Sequence, residues 1–348
     1  MKDKQPLIIS GPCSAETEEQ VLATAKALAA TGKVDIMRAG VWKPRTKPGT
    51  FEGAGVEALP WLVKAREMTG LPLATEVANS KHVESALEYD IDVLWIGART
   101  AANPFSMQEV AEALRGTKKM VYVKNPVNGE VDLWCGAVER LAACGINNLG
   151  LIHRGFSGFG AGKLRNAPMW HLALEMRRRM PDLPMICDPS HICGCRDFIP
   201  EITQQAADLD YDGLMIESHI NPAEAWSDAK QQLEPEALEQ MVRNVNWRKA
   251  TVDCPEFQKS LNLYRDEIDQ IDSELFELLG RRMDICEKIG TVKKENNVAI
   301  LQSNRWGAIR DRILSQASKY NLSEEFLKTV LEAIHIESIS RQNTVMNK

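Results

Sequence analysis

Short apolar runs recur along the first two thirds of the chain, each followed by a longer stretch with helical spacing. The runs fall at residues 6–10, 34–38, 71–76, 93–97, 120–124, 148–154, 183–188 and 213–218. They return roughly every thirty residues, about the length of one βα unit. Eight such units close into a (β/α)8 TIM barrel of roughly 250 residues. An open doubly wound α/β sheet is the structural alternative, but residues of functional type end nearly every run, which favours the barrel.

From about Pro255 the pattern changes. Strand punctuation stops and glycine becomes scarce. Leu261, Tyr264, Ile268, Ile271, Leu275, Leu278, Ile285, Ile289 and Val292 recur mostly at three- and four-residue steps, which predicts one amphipathic helix of about ten turns. Asn296-Asn297 ends it. A second helix is predicted from Ser303-Asn304, which offer N-caps, to about Tyr320. A third opens at the N-cap Ser323, with Glu324 and Glu325 where the helix dipole favours them. So long a first helix cannot bury its whole apolar face against two shorter ones, and such a chain usually pairs with a second copy. The expected layout is a barrel over residues 1–247, a linker over 248–256 and an all-α three-helix domain over 257–348.

With 348 residues, 44% hydrophobic and 26% charged, the composition is that of a globular protein with one large and one small domain. A net charge of -6 argues against nucleic acid or an anionic membrane as partner. No run approaches 18 apolar residues, and the start, Met1–Pro6, has no signal-peptide core, so a cytoplasmic location is expected. Asn321-Leu322-Ser323 is then a chance sequon. Eight scattered cysteines suggest reduced thiols. Cys193-Gly194-Cys195, with Cys187 nearby, lacks the second matched pair of a structural zinc site.

Metal-ligand types lie just past the predicted strands: Cys13, His191, Glu217, and Asp228 in the loop beyond. Barrel ligands collect at the carboxyl ends of the strands. Each residue has a bland reading by itself, the cysteine as core filler and Asp228 as loop polarity. A convergent thiolate, imidazole and two carboxylates would suit one divalent ion of the Mn, Fe, Co or Zn type. Cations also end the strands: Arg38 and Lys43 with Arg45 and Lys47 beside them, Arg99, Lys124 and Arg154. Clustered cations repel one another unless a multiply charged anion joins them, so they suit a ligand carrying phosphate and carboxylate. Salt bridges to Glu76 or Asp188 could account for one or two of them.

Gly11-Pro12-Cys13-Ser14, Lys43-Pro44-Arg45-Thr46, Gly97-Ala98-Arg99, His153-Arg154-Gly155 and Asp188-Pro189-Ser190-His191 resemble short-barrel type I 3-deoxy-D-arabino-heptulosonate 7-phosphate (DAHP) synthase across residues 6–245. The resemblance implies metal-dependent condensation of phosphoenolpyruvate with erythrose 4-phosphate. It makes Cys13, His191, Glu217 and Asp228 the metal ligands. Lys43, Arg99, Lys124 and Arg154 would hold phosphoenolpyruvate with Arg38 close behind, Lys43 would act as proton donor, and Arg45 and Thr46 would hold the erythrose phosphate. The run Lys124–Gly129 departs from that branch of the family, which bears on the loop's shape more than on Lys124. The related eight-carbon sugar-acid synthase, which uses arabinose 5-phosphate, carries Lys-Ala-Asn-Arg where this chain has Lys-Pro-Arg-Thr.

On the helical segment, Arg282 and Lys293 are 11 residues apart and share a face. Arg265, 17 residues before Arg282, points elsewhere and could serve a neighbouring chain. Arg305 opens the second helix, and Ser338 and Gln342 are i, i+4 neighbours on the third. Residues 258–343 resemble the all-helical chorismate mutase domain. The resemblance implies that Lys293 and Gln342 serve the ether oxygen of chorismate, and that Arg282, Arg305 and a second chain's Arg265 bind carboxylates, with Ser338 in the same site. Trp306 stands where that family commonly has Glu, and Gln302 replaces a usual Asp, so recognition of the substrate hydroxyl is expected to differ.

The expectation is a bifunctional shikimate-pathway enzyme that makes DAHP and converts chorismate to prephenate, assembled as a homodimer or higher homo-oligomer. The alternatives are a helical domain that only senses ligand and dimerises, or a barrel that is a generic metal aldolase. Because few residues precede the first strand, feedback control is expected through the helical domain, with prephenate as ligand and Arg248–Pro255 as hinge.

Overall fold

The computed structural model describes residues 5–43, 49–158, 162–249 and 252–347. The chain divides into two compact units, residues 1–250 and 251–348. The first is a closed parallel barrel of β1 Leu7–Gly11, β2 Ile36–Arg38, β3 Leu73–Val77, β4 Val93–Ile96, β5 Met120–Lys124, β6 Leu149–His153, β7 Met185–Cys187 and β8 Gly213–Glu217. Every expected strand is present, with ends shifted by a residue or two. β1 closes on β8 through Leu7 opposite Gly213 to Gly11 opposite Glu217.

Strand side chains alternate between two cores. Ile9, Ala74, Trp95, Tyr122, Ile152, Ile186 and Met215 fill the barrel interior. Ile8, Met37, Leu94, Val121, Leu151 and Leu214 face outward against the surrounding helices. Two glycines permit close approaches. A Cβ on Gly150 would stand 2.4 Å from the Tyr122 ring, and one on Gly11 would stand 2.0 Å from the Arg38 carbonyl oxygen. Gly11 thereby lets the Gly-Pro-Cys turn lie against β2.

The second unit is helical. Its long helix, Pro255–Glu295, has Pro at the start, where the missing N–H costs nothing, and stops at Asn296-Asn297, with Asn297 in the left-handed region at φ 53°. The expected second helix is two pieces, Ser303–Leu314 and Ala317–Tyr320. Ser315 Oγ donates to the Arg312 carbonyl at 2.8 Å, and Gln316 N to Ile313 O at 3.0 Å, so the turn tightens and the helix ends. Gln302 holds the cap position of the first piece without a side-chain cap bond. The third helix, Glu324–Met346, is capped as expected, Ser323 Oγ accepting from Phe326 N at 3.2 Å. All eight cysteines are unpaired. Among the described residues no helix is long and apolar enough to cross a membrane.

Candidate active sites

The carboxyl ends of β1 and β8 bring three of the four expected metal ligands together. One ligand atom each from Cys13, Glu217 and Asp228 lies within 4.8 Å of the others. Cys13 Sγ is 3.4 Å from Asp228 Oδ2. The fourth, His191, stands beside them with Nε2 3.7 Å from Glu217 Oε1. Asp188 orients that ring: its Oδ2 is 2.8 Å from His191 Nδ1, and its Oδ1 accepts from His191 N as helix cap. A carboxylate behind a metal-binding imidazole fixes its tautomer and direction.

The electrostatics of this cluster fit a cation. Burial pushes the Cys13 thiol up to about 12, and Glu217 and Asp228 push the same way. Burial would also raise Asp228, but His191, Arg165 and Lys43 outweigh it and hold its carboxyl down at about 2. Burial lowers the His191 pKa, the direction that favours the neutral imidazole a metal requires. Glu217 Oε1 is buried without a hydrogen-bond partner, although Arg38 Nη2 lies 3.3 Å away. An orphaned carboxylate oxygen, a thiol and a second carboxylate meeting at one point form a donor set that a transition metal would complete.

The cations form the wall of the same cavity, which Lys43, Arg99, Lys124 and Arg154 line with Glu76, Arg165, His191 and Asp228. Lys43 Nζ is 3.1 Å from Cys13 Sγ. Lys124 Nζ pairs with Asp188 Oδ2 at 2.7 Å, so for this lysine the salt-bridge reading holds as well. Burial lowers Arg154 to about 10. Arg38 lies beneath the cavity, 1% exposed, bonded to the Cys13 carbonyl at 3.1 Å and stacked on Trp95 at 4.8 Å. Arg45 and Thr46 lie outside the described residues. Arg165, which sequence reading missed, reaches Asp228 Oδ1 at 3.2 Å and Gln231 Oε1 at 2.9 Å. Gln231 and Gln232, also missed, bond to Glu217 and to Cys13 N.

In the helical unit, Arg282 Nη1 donates to Ser338 Oγ at 2.5 Å. Gln342 lies one turn beyond Ser338 and packs on Gly290 of the long helix, where a Cβ would come 3.1 Å from Gln342 Cα. Its Oε1 is buried without a partner. Lys293 Nζ donates to the Ile300 carbonyl at 2.6 Å. Arg265 and Arg305 are exposed. Trp306 stacks on His335, centroids 3.9 Å apart and planes 10° apart, so an aromatic surface occupies the place of the expected acid.

A closed parallel barrel with ionisable and cationic groups gathered at the carboxyl ends of its strands has the layout of a barrel enzyme. The chain belongs to the DAHP synthetase I family, whose model matches residues 2–252, and carries a chorismate mutase type II domain over residues 264–343. It is 32% identical over 238 residues to the phospho-2-dehydro-3-deoxyheptonate aldolase of Thermotoga maritima, with 68% of each chain covered. The crystal structure of DAHP synthase from that organism superposes with a TM-score of 0.62 at 29% identity, over 69% of this chain and 68% of that one. A 2-dehydro-3-deoxyphosphooctonate aldolase of Acidithiobacillus ferrooxidans is 29% identical over 64% of this chain and 81% of the relative. The helical segment is 34% identical over 89 residues to the bifunctional chorismate mutase/prephenate dehydratase of Buchnera aphidicola, 26% of this chain and 23% of that one. The two domains mark a bifunctional shikimate-pathway enzyme, a transferase joined to an isomerase.

Proposed function

We propose that the barrel condenses phosphoenolpyruvate with erythrose 4-phosphate in a metal-dependent reaction. The observation that carries this is the convergence of Cys13, Glu217 and Asp228 beside a wall of lysine and arginine. Cys13, His191, Glu217 and Asp228 would hold a divalent ion, which would supply Lewis acidity for a carbonyl oxygen. Lys124, Arg99 and Arg154 hold the carboxylate and phosphate of phosphoenolpyruvate and fix the line of attack on the aldehyde. Arg38 acts from below, tying the Cys13 carbonyl to Glu217. The enol carbon attacks the aldehyde carbonyl, Lys43 gives its proton to the forming alkoxide, water adds, and phosphate leaves. Arg45 and Thr46 are assigned to the erythrose phosphate. Cys13→Ala should abolish condensation and leave chorismate turnover intact. Near-normal condensation by the metal-stripped variant would refute the assignment.

The helical unit is assigned the conversion of chorismate to prephenate. Arg282 binds a carboxylate, Ser338 holds the Arg282 guanidinium, and Lys293 and Gln342 face the ether oxygen, where negative charge builds in the transition state. Arg265 lies 17 residues from Arg282, about 25 Å along the helix, too far for the same chain's site. Tyr264, Ile268, Ile271, Leu275 and Leu278 of the long helix are each about half exposed or more. Both observations support pairing with a second copy that lends its Arg265 to a site in which Arg282 and Arg305 supply the other carboxylate contacts.

Feedback belongs to the same reading. Prephenate bound in the helical unit would inhibit condensation through a coupling of about 1–3 kcal/mol, roughly 5–150-fold. Titrating prephenate into the intact chain and into Arg282→Ala tests it, since equal inhibition of both would place the effector site elsewhere.

A further inference from the structure

Two adjacent glutamines face the proposed metal ligands from behind. Gln231 and Gln232 are 1% and 0% exposed, and they end the loop that follows Asp228. Gln232 uses both ends of its amide: Oε1 accepts from Cys13 N at 2.9 Å, and Nε2 donates to the Ser227 carbonyl at 2.8 Å. One side chain thus ties the residue bearing the thiol to the residue before Asp228. A second tie runs in parallel, the hydroxyls of Ser14 and Ser227 lying 2.5 Å apart. Gln231 Nε2 donates to Glu217 Oε2 at 2.7 Å, which occupies one oxygen and leaves the orphaned Oε1 beside Arg38 Nη2 at 3.3 Å and His191 Nε2 at 3.7 Å. Gln231 Oε1 accepts from Arg165 Nη1, the group that also reaches Asp228.

The loop needs such ties. Asp228 is a non-glycine residue at φ 46° and ψ 36°, in the left-handed region that side chains disfavour. Cys13 and Asp228 are 215 positions apart in sequence, so nothing local fixes their separation. We propose that Gln231 and Gln232 are positioning residues that set the spacing and direction of the metal ligands. Gln232 fixes Cys13 against Asp228, and Gln231 aims Glu217. This rests on the metal reading given above. A neutral amide suits the task because it supplies a donor and an acceptor without adding charge beside a thiol and two carboxylates.

The test uses the full chain, stripped of metal and titrated with Co(II) alone, for wild type, Gln232→Met, Gln231→Met, Gln232→Glu and Cys13→Ala. Loss of an outer-shell partner typically weakens metal binding about 10–100-fold. Gln232→Met and Gln231→Met should each weaken Co(II) binding by that amount, and Gln232→Met should also move the sulfur-to-cobalt absorption band. The thermal midpoint of the metal-free protein should stay near that of wild type in at least one of the two. Gln232→Glu keeps the acceptor for Cys13 N and should recover part of the affinity. Wild-type affinity and an unmoved band in both Met variants, with Cys13→Ala failing to bind, would overturn the positioning role and leave the metal site standing. Absence of stoichiometric Co(II) binding by wild type would overturn both.

Discussion

Asp188→Asn perturbs the barrel site at the point where its two halves meet. The carboxylate is fully buried and sits between Lys124, at 2.7 Å, and His191, at 2.8 Å. Burial alone would raise its pKa, but His191 and Lys124 hold it well below the usual carboxylate range. Asparagine keeps an acceptor for the helix cap and removes the charge. Lys124, 4% exposed, then has no anion at contact distance from Asp188. Breaking a buried ion pair from one side costs about 3–5 kcal/mol, and the retained acceptor puts this case near the lower end, about 3 kcal/mol. His191 would also lose its orienting carboxylate, which should weaken metal binding about 10–100-fold. The assay is urea unfolding followed by tryptophan fluorescence, which reports the barrel because only Trp306 lies in the helical unit. Metal titration supplies the second readout, and chorismate turnover serves as control. A barrel within about 0.5 kcal/mol of wild type, with unchanged metal affinity, would refute the role of Asp188 argued here.

Lys293→Ala should lower chorismate turnover at least about a hundredfold, a contact to developing charge being worth roughly 3–4 kcal/mol, while condensation is unaffected; a loss under about fivefold would favour a sensing domain. Replacing Lys43-Pro44-Arg45-Thr46 with Lys-Ala-Asn-Arg should depress use of erythrose 4-phosphate far more than affinity for phosphoenolpyruvate, because a guanidinium can make a bidentate phosphate contact that Asn cannot. Burial lowers His153 to about 4 from an ordinary 6.5, with Tyr211 on Nδ1 and the Pro168 carbonyl on Nε2. The unfolded chain therefore takes up that proton first, and the barrel should lose about 3 kcal/mol as pH falls from 6.5 to 4, a loss absent in His153→Gln. If the exposed stripe of the long helix pairs with a second copy as proposed, Ile271→Glu should lower the sedimenting mass to that of one chain and reduce chorismate turnover with it.

Much of this was legible along the chain, for physical reasons. Strands such as Val93–Ile96 and Leu149–His153 are buried at every position, so each reads as an unbroken apolar run whose ends locate the ligands. Ser323 with Glu324 and Glu325 announces a helix start by local chemistry alone. Contacts set by the barrel's closure were not legible. Gln232 meets Cys13 only because β1 lies against β8, and Gln231 meets Glu217 only because the loop after β8 folds back to pair Leu233 with Ser218. Arg165 sits in a polar loop whose sequence gives no hint of Asp228. The break after Leu314 was missed because no Gly or Pro marks it; a serine bonding back to the chain is enough. Asp188 was visible as a possible salt-bridge partner, but not as the group that joins Lys124 to His191.

The most direct measurement is an assay of both reactions on one preparation of the full chain, before and after verified removal of metal by a chelator. Under the metal-dependent bifunctional reading, condensation of phosphoenolpyruvate with erythrose 4-phosphate should disappear with the metal and return on adding Mn(II) or Co(II), while chorismate turnover continues throughout. Undiminished condensation by the metal-free protein, or no chorismate turnover in any sample, would contradict it.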